Sequence, residues 1–136
     1  MEFSLNYGHE SLNVDIPKKN HLGTLKPQDM EKLSKPFKEV ERALSNPIDS
    51  NKLVNLVTKD DQVVILASDI SRPAPSYILL PPIIERLNDA GVKDKQIKIV
   101  FGLGVHRKLT EKEKKKLVGD DIYERIKCIN HDIERC

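Results

Sequence analysis

At 136 residues the chain is long enough to enclose one hydrophobic core, and a single domain over 1–136 is expected. Charged residues make up 32% and aromatic residues 4%, with no Trp, a globular composition whose core must come from Val, Ile and Leu. Lys and Arg number 23 against 21 Asp and Glu, a net charge of +2, which argues against a nucleic-acid protein that neutralises a row of phosphates; no apolar run nears the ~18 residues of a membrane span.

The opening residues, MEFSLNYGHE, are polar and lack the apolar segment of a secretory signal, so a reducing, cytoplasmic location is expected. Phe3, Leu5 and Tyr7, then Leu12, Val14 and Ile16, alternate on either side of Gly8, which predicts a β-hairpin. A loop follows through Lys26. Met30, Leu33, Phe37, Val40 and Leu44 recur at helical intervals, with Pro36 imposing a kink or a division into two shorter helices. Asn46-Pro47 ends the run, and Ser50 is placed to cap a short helix carrying Leu53, Val54 and Val57.

Val63-Val64-Ile65-Leu66-Ala67 is the strongest strand, and its unbroken apolar run predicts burial on both faces, as in a parallel sheet. Helical spacing resumes through Leu79, Ile83 and Leu87 and stops at Gly91, with Pro81 and Pro82 obscuring its start. A second strand over Ile97, Ile99, Val100 and Phe101 enters the turn Gly102-Leu103-Gly104. Thr110-x-x-Glu113 marks the next helix by its capping box, and Gly119 closes it. The basic cluster Lys112, Lys114, Lys115, Lys116 lies on that helix and reads as a solvated face. Ile126, Cys128 and Ile129 form a last short apolar stretch before Asn130-His131-Asp132. Of the two cysteines, Cys128 and Cys136, a zinc site would need further ligands, and a disulfide is not required. The alternation of strands and helices predicts an α/β fold, a mostly parallel sheet flanked by helices with an N-terminal β-hairpin, forming part of a Rossmann-like domain.

Ligands of open α/β sheets gather beyond the carboxyl ends of the strands. Three polar clusters fall there: Ser68-Asp69-Ile70-Ser71-Arg72-Pro73, Gly102-Leu103-Gly104-Val105-His106-Arg107, and Asn130-His131-Asp132. Each admits a plainer reading. Asp69 serves equally to cap a turn with Arg72 as its surface ion-pair partner. Two glycines serve a tight turn, and G-x-G without a third glycine is a weak nucleotide signal. His106-Arg107 reads equally as a solvated loop pair, His131-Asp132 reads better as a pair that holds a loop together, and His9 and His21 read as surface residues.

Taken together, these strings resemble a known family. SDISRPAP resembles the D-x-T-R-P-x-P signature of the lactate racemases, and GLGVHRKLTEKE resembles their G-T-H-R-x-x-T-x-x-E segment; ALSNPIDSNKL, the AGV turn and NHD also match. The resemblance implies a racemase or epimerase acting on lactate or a related 2-hydroxyacid with a nickel-pincer nucleotide, a nickel-bearing pyridinium mononucleotide held covalently by a lysine, by hydride transfer to and from that group. It implies that His106 is one of two acid/base histidines, since an imidazole accepts and returns a proton near neutral pH. Arg72 corresponds to the arginine that holds the substrate carboxylate by two hydrogen bonds. Asp69, Ser71, Gly104 and Arg107 fall to the cofactor. Val105 and Ser71 stand where the family has threonine; the second exchange keeps a hydroxyl and the first removes one, so the acid itself is left open.

The family's tethering lysine, second acid/base histidine and nickel ligands belong to a later segment, and no metal ligand is found here. The chain is therefore expected to be the N-terminal part of a longer polypeptide, which is its main partner, and to hold no nickel and catalyse no racemisation alone. Two other readings stay open: a stand-alone carboxylate- or phosphate-binding module using Asp69, Arg72 and His106, and the complementing subunit of a split racemase. An exposed sheet edge is expected to favour self-association.

Overall fold

A computed structural model describes residues 1–72, 74–132 and 134; Pro73 of the SDISRPAP string and a Cys128–Cys136 pairing fall outside the described residues. The chain divides into two units, Met1–Lys32 and Leu33–Cys136.

In the first unit, β1 (Glu2–Tyr7) and β2 (Glu10–Asp15) form the expected hairpin, with Phe3 opposite Val14 and Leu5 opposite Leu12. The two-residue loop starts with Gly8 at φ 62°, while His9 keeps a negative φ. That combination is the type II′ turn, whose twist suits a two-residue hairpin and which takes glycine at its first central position. The N-terminal ammonium donates to Asp15 Oδ1 at 2.8 Å.

The second unit is built on β3 (Val63–Ser68), β4 (Ile97–Gly102) and β5 (Lys127–Asn130), parallel and in that spatial order. Register places Ile65 beside Ile99 and Ile99 beside Cys128, and at the carboxyl ends Ser68 beside Gly102 and Phe101 beside Asn130. The helices are α1 (Pro36–Ser45), α2 (Ser76–Asp89), α3 (Glu111–Val118) and α4 (Asp120–Arg125). Ile84 and Leu87 of α2, Leu117 and Val118 of α3 and Ile122 of α4 join Ile97, Ile99 and Phe101 of β4 in one core, with Val63, Ile65 and Ala67 packed against it. This is the expected α/β arrangement of a parallel sheet with its helices. Among the described residues, no helix is long and apolar enough to cross a membrane.

Several local expectations are revised. β3 is not buried on both faces: Val64 is 56% and Leu66 78% exposed, because the core gathers all three helices that follow the strand on the face of Ile65 and Ile99. The helical spacing from Met30 yields one helix, not two. Pro36 occupies its first turn, where a missing N–H costs nothing, and it disfavours helical geometry in the residue before it. Met30 and Leu33 are left exposed. Around Leu53 there is a single 3₁₀ turn, and Ser50 does not cap it but donates to the Asn51 carbonyl. α2 takes both Pro81 and Pro82 into its interior. It ends in a Schellman motif, with Val92 N–H on the Leu87 carbonyl at 3.0 Å and Gly91 N–H on that of Asn88 at 2.8 Å. Gly91 has φ 92°, the left-handed geometry this motif requires.

Candidate active site

The register that sets Ser68 beside Gly102 makes the next residues, Asp69 and Leu103, leave the sheet side by side. Asp69 is 5% exposed, and among the described residues its carboxylate is bonded by two, Ser71 and His106. Ser71 donates to Oδ1 through both its N–H at 3.0 Å and its hydroxyl at 2.7 Å. His106 Nδ1 lies 2.5 Å from Oδ2, and the Ser71 hydroxyl lies 3.3 Å from the same nitrogen. The Ser71 hydroxyl first, and then the imidazole, hold the Asp69 carboxyl well below its usual range, at about 2 against 3.8, while burial opposes them. The carboxylate is thus ionised at neutral pH and can only accept, so the hydrogen of this bond belongs to His106 Nδ1.

The plainer reading of Asp69 is half correct. It does close a turn onto the Ser71 N–H, but its second oxygen takes a histidine and not Arg72. Arg72 makes no hydrogen bond or ion pair among the described residues. It lines an open cleft of about 310 Å³ together with Ser68, Asp69, Ser71, Val105 and His106. The His106 side chain is 53% exposed.

His106 is delivered by a tight turn in which its N–H donates to the Leu103 carbonyl at 3.0 Å. Gly104, the first central residue, has φ 55°, and a Cβ there would meet nothing within 4 Å. The glycine therefore answers a backbone requirement and leaves open space above it.

Arg107 is bonded within the chain. Its guanidinium grips Glu113 with two bonds of 2.9 and 2.7 Å. Glu113 also accepts the Thr110 N–H at 2.9 Å while its own N–H donates to Thr110 Oγ1 at 3.3 Å, the capping box expected from the sequence. Arg107 first, then the Thr110 N–H, lowers the Glu113 carboxyl to about 2.

The third cluster is divided. His131 and Asp132 line an adjoining cleft with Lys108 and the other side of His106, and Lys108 Nζ lies 3.9 Å from Asp132. The Asn130 side chain instead bonds the backbone of Leu109. That contact was missed in the sequence, where only the position of Asn130 at a strand end marked it.

Among the described residues, no three His, Cys, Asp or Glu side chains gather as a metal-binding group. The donors of this cleft not already bonded to Asp69 are the Arg72 guanidinium and the Ser68 hydroxyl, which suit a carboxylate or phosphate oxyanion. The site's residues therefore fit the acid, or the anionic part of a nucleotide, and do not fit nickel ligation.

The lactate racemase N-terminal domain family model matches residues 7–136. The chain is 34% identical over 130 residues to a lactate racemase of Lactiplantibacillus plantarum and 33% identical over 128 residues to one of Thermoanaerobacterium thermosaccharolyticum. Each alignment takes in 93% of this chain and only 30% of the relative, so the chain spans under a third of those proteins' length. The structure of the lactate racemase apoprotein from the latter organism superposes with a TM-score of 0.77 at 30% identity, over 97% of this chain and 30% of that one. A Thermotoga maritima crystal structure shares the fold at TM-score 0.55 and 22% identity, over 71% of this chain and 21% of that one.

Proposed function

The chain belongs to the lactate racemase N-terminal domain family, and on that premise we propose that it forms one part of the active site of a racemase or epimerase acting on lactate or a related 2-hydroxyacid. The remaining parts come from the rest of a longer polypeptide. In the whole enzyme a nickel-pincer nucleotide, when bound, supplies the centre that takes and returns hydride. The residues of this chain bind, orient and move a proton.

The observation that carries the reading is the Asp69–His106 contact of 2.5 Å. With Asp69 ionised and holding Nδ1–H, His106 offers Nε2 as the base for the hydroxyl of one enantiomer, and its protonated ring serves as the acid when the reaction runs the other way. Asp69 orients the ring and stabilises it once protonated, as the aspartate does in hydrolytic triads. Ser71 fixes Asp69 by its two bonds. Arg72 has its fork of donors available for the substrate carboxylate. Gly104 leaves room for close approach of the nucleotide, and Arg107 contributes by tying the His106 loop to α3.

The test is interconversion of L- and D-lactate, followed by chiral chromatography, in the full-length polypeptide loaded with the nucleotide. His106→Gln is expected to lower the rate by about 10²-fold or more, and an unchanged rate overturns the acid/base role. Arg72→Lys is expected to raise KM. The 136 residues alone are expected to leave either enantiomer unchanged even with nucleotide added.

A further inference from the structure

β5 ends on a side chain that the pattern of the sheet does not call for. On the core-facing side, β4 sets Ile97, Ile99 and Phe101, and β5 sets Cys128 and then Asn130, level with Phe101. An amide in such a half-buried position is unfavourable unless its donor and acceptor are both bonded. Both are, and to one residue: Oδ1 accepts the Leu109 N–H at 3.2 Å, and Nδ2 donates to the Leu109 carbonyl at 3.0 Å. Leu109 is 5% exposed and lies in neither helix nor strand, so the amide stands in for the partner that secondary structure would supply. Asn130 is itself held, because the next N–H, of His131, donates to the Phe101 carbonyl at 3.0 Å and extends the ladder.

The segment joining β4 to α3 is thus secured on both sides of His106, by the Leu103 turn before it and by Leu109 after it. We propose that Asn130 is a positioning residue for His106: by fixing Leu109 it fixes where the loop presents the imidazole to Asp69. The inference rests on the acid/base reading of His106 given above.

The experiment is nitrogen-correlated NMR of the His106 ring in the 136-residue chain, comparing the parent with Asn130→Ala and Asn130→Asp and using Asp69→Asn as the reference for a released ring. The parent is expected to show predominantly the Nδ1–H tautomer. Loss of two hydrogen bonds in Asn130→Ala is expected to lower the ratio of Nδ1–H to Nε2–H on the order of tenfold. Asn130→Asp keeps the acceptor for Leu109 N–H and loses the donor, so a smaller fall is expected. A merely structural role would reduce thermal stability and leave the tautomer ratio alone, and that result overturns the inference. Should Asn130→Ala not fold, an unchanged ratio in Asn130→Asp overturns it equally. A parent chain lacking the Nδ1–H preference overturns the Asp69–His106 reading itself and this inference with it, whereas a parent that shows the preference and keeps it without Asn130 overturns this inference alone.

Discussion

Removing the same kind of side chain from opposite faces of the sheet should have very different consequences. Ile99 is 0% exposed and Leu66 78% exposed, although they sit on adjacent strands one register step apart. Ile99→Ala deletes buried methyls and leaves a cavity between β4 and the helices, at a cost of about 2–5 kcal/mol. Full burial of a leucine stabilises by roughly 1.5–3 kcal/mol. Leu66 realises only about a fifth of that, so Leu66→Ala should cost about 0.5 kcal/mol. For a unit of about 100 residues, such as Leu33–Cys136 in which both positions lie, 1 kcal/mol moves the melting temperature by about 4–8 °C. Circular dichroism melts at low concentration should therefore place Leu66→Ala within about 4 °C of the parent and Ile99→Ala at least about 8 °C below it. Equal losses would refute the one-sided packing of the sheet, since Leu66 would then have to be covered.

Gly91→Ala is expected to cost at least about 2 kcal/mol in a urea titration, because the new Cβ adopts a left-handed backbone and meets Lys59 Cβ at 2.9 Å. Asp69 and Glu113 are both held at about 2, below their usual 3.8 and 4.5. For groups lowered on folding, the stability they contribute is complete above the unfolded values and disappears as pH falls through the folded ones. These two therefore leave the melting temperature flat from pH 7 to 5 and lower it between 4.5 and 2; Asp69→Asn with Glu113→Gln should flatten that limb. β3 and β5 each lack a neighbour on one side among the described residues. Sedimentation is accordingly expected to show association as concentration rises, and a monomer throughout would count against it.

Much of the scaffold was legible because its determinants are local. Val63–Ala67 and Ile97–Phe101 are apolar runs of strand length, Thr110 and Glu113 announce a helix start, and Gly91 and Gly119 mark two ends. What local pattern cannot carry is the presence of a covering layer. Val64 and Leu66 look the same in sequence whether a helix lies over them or not. α4 was hidden by its brevity, since Asp120–Arg125 is under two turns and offers little periodicity. The helical spacing ahead of Pro36 was over-read for the opposite reason, because a short segment cannot sustain a helix without packing. In the site, the three clusters were visible as strand ends, and the grouping of Asp69, Ser71, Arg72 and His106 follows from sheet topology. Which of them bond to each other did not follow. Asp69 and His106 are 37 residues apart, and whether an aspartate takes a histidine or the nearby arginine depends on turn geometry that emerges only once the strands are aligned. Arg107 shows the same limit, since Glu113 engages it through a helix cap.

The contact between Asp69 and His106 also bears on how the strands find their alignment. A one-residue slip that turns β4 over brings Lys98 to the core in place of Ile97 and Ile99 and is rejected there. A slip of two residues keeps every side chain on its proper face, so hydrophobicity alone scarcely opposes it. That slip moves one strand end past the other by about 6.6 Å, far beyond the 2.5 Å separating Nδ1 from Oδ2. The hydrogen bond across the two loops is thus a gauge of β3–β4 alignment, penalising a misalignment that the apolar pattern tolerates.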